Sequence, residues 1–327
     1  MLRVPNPDTA PDVIVGPDDP PGPGMPNAGA SGRSTPDRPD AGGVRLWVLS
    51  DLRVDRIRAT LPDPPPDFDA LLVAGNLSAD LDAGLDWLAG TLGGGLDGRP
   101  VIVVPGSAEF EGGPPTGERL DHARAAARAH GFRLLSDEST RVEVPDRGVV
   151  HVLGATLWTD WCLAGAFEGQ LARIRARRAW ALPGAHPGPP PGWSVHDALA
   201  AHALSRAYLE DALAGIVQQG LGLQVPPDAM VPDVRAGDRA VVVTHHAPSR
   251  RCLPDDWAGW DDDCWLAASY ASDLEAVMRA WGAPAAWVHG AVPAAVDVTV
   301  GRTRIVANPR GGADPRPGFD PGLVIVV

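Results

Sequence analysis

Five short stretches of this chain bring together side chains that can hold a charge or move a proton. They are Ser50-Asp51-Leu52-Arg53, Ala74-Gly75-Asn76-Leu77, Pro105-Gly106-Ser107-Ala108-Glu109, Thr244-His245-His246-Ala247-Pro248 and His289-Gly290-Ala291-Val292-Pro293. Asp51 and Glu109 bring carboxylates, and Asn76 and Ser107 bring neutral oxygens. His245 and His246 bring imidazoles, and Arg53 brings a permanent cation whose fork matches a carboxylate or a phosphate. Pro105–Glu109 also resembles a strand–Ser–turn nucleophile elbow but lacks the Gly after the Ser, which argues against that reading.

Strand-like runs lead into every one of these stretches. Val44–Ser50, Ala70–Ala74, Val101–Val104, Ala240–Val243 and Ala285–Val288 are continuous apolar runs, the pattern of strands buried on both faces. Val149–Leu153 is a further strand. Val296–Val300, Arg304–Val306 and Leu323–Val327 close the chain as strands, the first two joined by a hairpin at Gly301-Arg302. Helices are expected over Leu81–Leu92, Arg119–His130, Arg173–Trp180, Asp197–Val217 and Asp273–Trp281. Strands alternate with helices early and meander late, which suggests two packed sheets flanked by helices. In such an α/β fold ligands bind at the carboxyl ends of strands, where all five stretches lie.

Composition bounds the rest. The 327 residues suffice for one large α/β domain, and 44% apolar residues supply a core. Residues 1–43 are rich in Pro, Gly, Asp and Ser, with one short apolar run at Val13-Ile14-Val15, and read as a disordered tail. The folded domain is expected over residues 44–327. A net charge of -13 argues against nucleic acid or an anionic membrane as partner. Three cysteines without a C-x-x-C spacing argue against a disulfide framework. No signal peptide and no membrane-spanning run is visible, so a cytoplasmic protein is the expectation.

The order of the five loops and their flanking strands resembles the calcineurin-like metallophosphoesterase family, whose patterns are D-x-H, G-D, G-N-H-E, T-H-H and G-H-x-H. Leu153–Asp160, Ala271–Leu274 and Asn308–Gly311 extend the resemblance to a bacterial branch of that family. It implies a four-layer α-β-β-α sandwich and, in intact members, two metal ions that activate a water against a phosphoester. Residue by residue, Asp51 and His245 match two ligand positions. Arg53 stands at a histidine, Asn76 at the bridging aspartate, Ser107 at an asparagine, and Ala291 and Pro293 at the last two histidines. Ala108 replaces the histidine that assists the leaving group, and Glu109 matches a position that is not a ligand.

Arg, Ala and Pro side chains cannot ligate a cation. The resemblance therefore implies a pseudoenzyme without two-metal hydrolysis, whose remnant site is Asp51, Arg53, Asn76, Ser107, Glu109, His245 and His246. At most one divalent ion (Mn, Fe, Zn or Mg) is expected, on Asp51, Asn76 and His245. An ion pair of Arg53 with Asp51 or Glu109 is expected to fill the old metal site. A phosphate-bearing ligand would fall to Arg53, His245 or Arg310. The alternatives are a weak or altered phosphoesterase using one metal or none, and an interaction protein that binds a partner through its tail or its Trp-rich loop at Asp261-Asp262-Asp263.

The structural readings of the same residues are plain. Asp51 can cap a strand end, and His245, His246 and His289 can be hydrogen-bonded strand-end histidines. His122, His130, His186, His196 and His202 read as solvated, and Arg173, Arg175, Arg177 and Arg178 as a solvated helix face.

Overall fold

The computed structural model describes residues 42–181, 190–226, 228–254, 257 and 264–327. Nearly all of the tail over 1–43, most of the Pro-rich loop at 183–191, His186 and the Asp261–Asp263 run lie outside the described residues. The described chain begins at Gly42. Val44 closes a pair of backbone hydrogen bonds with Val327 at 2.8 and 3.0 Å.

Apolar strands pair into two mixed sheets. β1 (Arg45–Leu49), β2 (Ala70–Ala74), β3 (Val101–Val104) and the short β4 (Arg133–Leu134) run parallel, and β11 (Val324–Val326) adds antiparallel to β1. The second sheet holds β5 (Glu138–Val144), β6 (Gly148–Ala155), β7 (Arg239–Thr244), β8 (Ala286–His289), β10 (Thr303–Ala307) and β9 (Val296–Val300) in that order. Its central pairs, from β6 to β10, are parallel, and the two edges are antiparallel.

Strands of continuous apolar residues have two faces to bury. One face of each sheet meets the other sheet: Leu46, Val48, Leu72, Ile102 and Val104 pack with Val152, Val241, Val243 and Val288 in one cluster. The outer face of the first sheet, with Trp47, Leu71 and Val103, packs on α1 (Leu81–Leu92) and α2 (Gly117–Ala129). The outer face of the second, with Leu153, Val242 and Trp287, packs on α4 (Val195–Gly220) and α6 (Glu275–Arg279). These are the four layers of an α-β-β-α sandwich. A satellite cluster joins α3 (Ala166–Trp180) and α5 (Cys264–Tyr270) over Phe110, Trp158 and Trp161.

Local signals set the helix starts. Asp80 caps α1 by accepting from Ala83 N at 3.1 Å, and Ser194 opens α4 with a capping box closed by Asp197. Three elements escape the sequence pattern: β4, β5 and α5. β5 (ESTRVEV) buries only Val142, because an edge strand covers one face partially and so lacks an apolar run. The late meander is also corrected. β9 and β10 form the expected hairpin, whereas β11 leaves for the first sheet and pairs with β1. Among the described residues, no helix is long and apolar enough to cross a membrane.

Candidate ligand-binding cleft between the two sheets

The parallel strands point their carboxyl ends at one place, and the loops they feed are stitched together by backbone. Asp51 N donates to Gly75 O at 2.9 Å, Arg53 N to Asn76 O at 3.0 Å, and Gly311 N to Asp51 O at 2.9 Å. Gly290 N donates to His245 O at 3.0 Å. Holding these turns requires left-handed backbone at Asp51 (φ 53°), Arg53 (φ 43°), Asn76 (φ 54°) and Ala291 (φ 61°). Such conformations are uncommon for residues other than Gly and collect where the surrounding fold imposes a geometry.

Two glycines let the loops approach each other. A Cβ on Gly75, at φ 81°, would stand 2.4 Å from His245 Nδ1. A Cβ on Gly290 would stand 2.7 Å from Asp51 Oδ2. Gly75→Ala is expected to cost about 2–4 kcal/mol, from backbone strain plus the clash. Urea unfolding checks this; an unchanged midpoint would show that the loops yield freely.

The polar network starts at Asp51, which is 6% exposed. Its Oδ1 accepts from Asn76 Nδ2 at 2.9 Å and its Oδ2 from Ala291 N at 3.0 Å. The Asn76 carbonyl accepts from Ala108 N at 2.8 Å and from the Ser107 hydroxyl at 3.4 Å. Amide oxygen and amide hydrogen are therefore each committed to a neighbour.

Glu109 is buried behind this line. One of its oxygens accepts from Leu77 N at 2.5 Å and Ser78 N at 3.3 Å, the other from Asn76 N at 3.1 Å and Gly106 N at 2.7 Å. Burial pushes its carboxyl above the usual Glu range, while nearby His245 and the backbone donors pull it back. Structurally, Glu109 ties the loop after β2 to the loop after β3.

The expected ion pairs of Arg53 with Asp51 or Glu109 do not form. The guanidinium instead spans Asp55, with contacts of 3.0 and 2.8 Å, and Glu111 at 2.8 Å. Arg56 joins the same Glu111 carboxylate at 3.1 Å. The left-handed backbone at Arg53 turns its side chain toward Asp55 and Glu111, and each Asp51 oxygen already accepts from a neutral donor. Arg310 donates to the carbonyls of Gly312 and Ala313 in its own turn, so it is committed to that loop.

His245 and His246 are buried at 1% and 6% exposure. The Nδ1 of His245 donates to Ala74 O at 3.1 Å, and its Nε2 has no protein partner. His246 donates through Nδ1 to Thr156 O at 3.1 Å and lies against Trp158 with centroids 5.5 Å apart. Burial, with His245 beside it, pushes the His246 imidazole down to about 3. His289 is fully buried and faces Gly290 O at 3.0 Å; burial lowers it to about 4. His202, expected to be solvated, is 2% exposed and bonded to Leu157 O at 3.0 Å. Arg173, expected on a solvated helix face, is half-buried and donates to Asp160 O at 3.0 Å.

Asp51, Arg53, Asn76, Ser107, His245 and His246 thus share one cleft of about 200 Å³. Part of its lining was not foreseen from spacing: Trp158, Trp161 and Trp180 with Tyr270. Arg316 stands on its rim. The match at Leu153–Asp160 pointed to the neighbourhood of two of these tryptophans; nothing in sequence pointed to Arg316. Among the described residues, no group of three His, Cys, Asp or Glu side chains is placed to share an ion.

No family model matches the chain, and no curated protein matches it. Among solved structures it is similar to the phosphopantetheinyl hydrolase of Mycobacterium tuberculosis, with 17% identity and a TM-score of 0.55 over 83% of this chain and 90% of that one. A Staphylococcus aureus protein described as a 5'-nucleotidase, solved with alpha-ketoglutarate, aligns with 12% identity and a TM-score of 0.39 over 81% of this chain and 48% of that one, too weakly to carry an argument. At these identities the likeness concerns the fold alone, an α/β sandwich of two mixed sheets flanked by helices.

Proposed function

We propose that this chain is a metallophosphoesterase-like protein that binds a small anionic ligand in its cleft and does not carry out two-metal phosphoester hydrolysis. The observation that supports this most directly is the hydrogen-bonded triad of Asp51, Asn76 and Ala291 N. Where a metal pair would need bare oxygens, Asp51 already accepts from an amide N–H on one oxygen and a backbone N–H on the other. The side chains of Ala291, Pro293 and Arg53 offer no lone pair to a metal ion. A pair of metal ions does not fit this set of side chains.

A second reading, a weak or altered phosphoesterase, draws on one observation. The unpartnered Nε2 of His245 shares the cleft with Asp51 and Asn76, so these three are the side chains that would hold a single divalent ion.

A melting scan against added Mn²⁺ separates the two readings, because a ligand that binds the folded state must raise the midpoint. The midpoint is expected to stay constant up to millimolar Mn²⁺. A saturable rise, with Mn²⁺-dependent turnover of bis(p-nitrophenyl) phosphate that Asp51→Ala abolishes, would establish the second reading. Asn76→Asp tests the triad itself. It removes the N–H given to Asp51 and sets two carboxylates together, at an expected cost of about 1–3 kcal/mol in metal-free buffer. Equal stability of this variant and the parent protein would argue against the triad as the replacement for a metal.

A further inference from the structure

The aromatic part of the cleft lining has a composition that the remnant loops do not explain. Trp161 is 1% exposed and Trp158 is 5% exposed, so both are fixed in the fold rather than displayed on a surface. Trp180 stands edge-on to Trp161, with centroids 5.5 Å apart at 72°. The indole N–H of Trp161 is used, donating to Ser269 Oγ at 3.2 Å. The indole N–H of Trp180 is buried and has no partner. The Nε2 of His245, which lines the same cleft, is also buried without a partner. Buried polar atoms are nearly always hydrogen-bonded, so two orphans lining one cavity mark places where a ligand's polar atoms would be accepted.

Arg316 supplies the charge. Its side chain lies against the backbone of Gly311, where a Cβ would meet its stem and Nε at 2.4 Å. Its Nε is buried and unbonded, and it makes no ion pair among the described residues. Arg53 and Arg56, by contrast, are already neutralised by Asp55 and Glu111. Arg316 is therefore the cation on this rim whose charge is not already matched by a carboxylate.

We propose that the tryptophan-lined part of the cleft and Arg316 form a two-part ligand site: a planar aromatic ring lies on the partly exposed Trp180, which Trp161 backs, and a single small oxyanion borne by that ring pairs with Arg316. This rests on the ligand-binding reading above and adds the class of ligand. An aromatic wall favours planar rings by stacking and edge-on contact. A guanidinium with unspent N–H groups favours a phosphate or carboxylate through charge-assisted bonds. The orphan N–H of Trp180 and the Nε2 of His245 then meet polar atoms between the two ends.

Calorimetry in metal-free buffer, with phenyl phosphate, cyclohexyl phosphate, inorganic phosphate and benzoate as probes, tests this. Phenyl phosphate is expected to bind ~10-fold more tightly than cyclohexyl phosphate or inorganic phosphate, a typical worth of one stacked ring. Benzoate against phenyl phosphate reports which oxyanion Arg316 prefers, and tight binding of either supports the site. Arg316→Gln should weaken every anion ~10-fold or more. Trp180→Leu should remove the ring preference, so that phenyl and cyclohexyl phosphate bind alike.

Equal affinities for the phenyl and cyclohexyl esters, or unchanged binding to Arg316→Gln, would overturn the proposal. Both substituted side chains are partly exposed, so both variants are expected to fold, and a melting scan of each confirms that it has. Mn²⁺-dependent release of phenol would defeat the metal-free reading above, yet with the ring preference intact it would still support this site.

Discussion

Stability in urea is expected to fall by about 4 kcal/mol between pH 7 and pH 5, mainly through His246 and His289. Both are buried, and burial lowers them from 6.5 to about 3 and about 4. The direction follows from linkage. Below 6.5 the unfolded chain takes up a proton on each imidazole, and the folded protein does not until the pH approaches the lowered value. The stability these rings lend is thus fully present above 6.5 and is lost as the pH falls toward 4 and 3. At pH 5 each costs about 2 kcal/mol, from roughly 1.4 kcal/mol per pH unit. His202, also lowered chiefly by burial, acts in the same direction.

Ordinary surface carboxylates titrate below this window, and the buried carboxyls of Glu109 and Asp137, raised by burial, act in the opposite direction, so a loss of stability here reports histidine. Equilibrium unfolding at half-unit pH steps measures it. His246→Asn, which keeps a donor for Thr156 O, should remove about one proton from the slope. A wild-type slope below one proton would show that these rings are charged or solvated in the folded protein.

Glu109→Ala is expected to destabilise the protein by about 3–5 kcal/mol. Four backbone N–H groups from Asn76, Leu77, Ser78 and Gly106 end on this one carboxylate. Its removal leaves buried donors without acceptors and opens a cavity beneath two loops. Each unsatisfied buried donor costs about 1–3 kcal/mol, part of which relaxation and entering water recover. The loss also frees the loop that carries Asn76, so anion binding in the cleft should weaken with stability. Glu109→Gln separates the causes. It keeps the volume but turns an N–H donor toward backbone donors, so it should recover part of the loss and no more. If Glu109→Ala cost under 1 kcal/mol, the role assigned to Glu109 as the tie between the two loops would be wrong.

The sequence was most legible where one interaction dominates. Runs such as Ala70–Ala74 and Val101–Val104 read as strands buried on both faces, and both are fully buried side by side in the first sheet. β5 was hidden because an edge strand with a single buried residue has no such run. The partner of β11 was hidden because pairing across most of the chain leaves no local signal; its Val326 meets Arg45. At the site, the positions of Asp51, Asn76, Ser107, His245 and His246 around one cleft followed from their places at strand ends. The partners of Arg53 did not follow. Residue types permitted a pair with Asp51, but a left-handed turn at φ 43° aims the guanidinium at Asp55 and Glu111.

What the chain's residues determined unaided is the frame: which segments are strands, which loops follow them, and which chemical groups those loops carry. Periodicity and side-chain type are local properties and can be read in order. The tertiary structure decided how those groups are used. Asp51 finds its donors 25 and 240 residues away, and the tryptophan wall and Arg316 reach the same cleft from α3, the loop after β6 and the segment after β10. Whether a carboxylate faces an N–H, a cation or open space depends on distances of a few tenths of an ångström between loops of different sheets. Only the packing of the two sheets sets those distances.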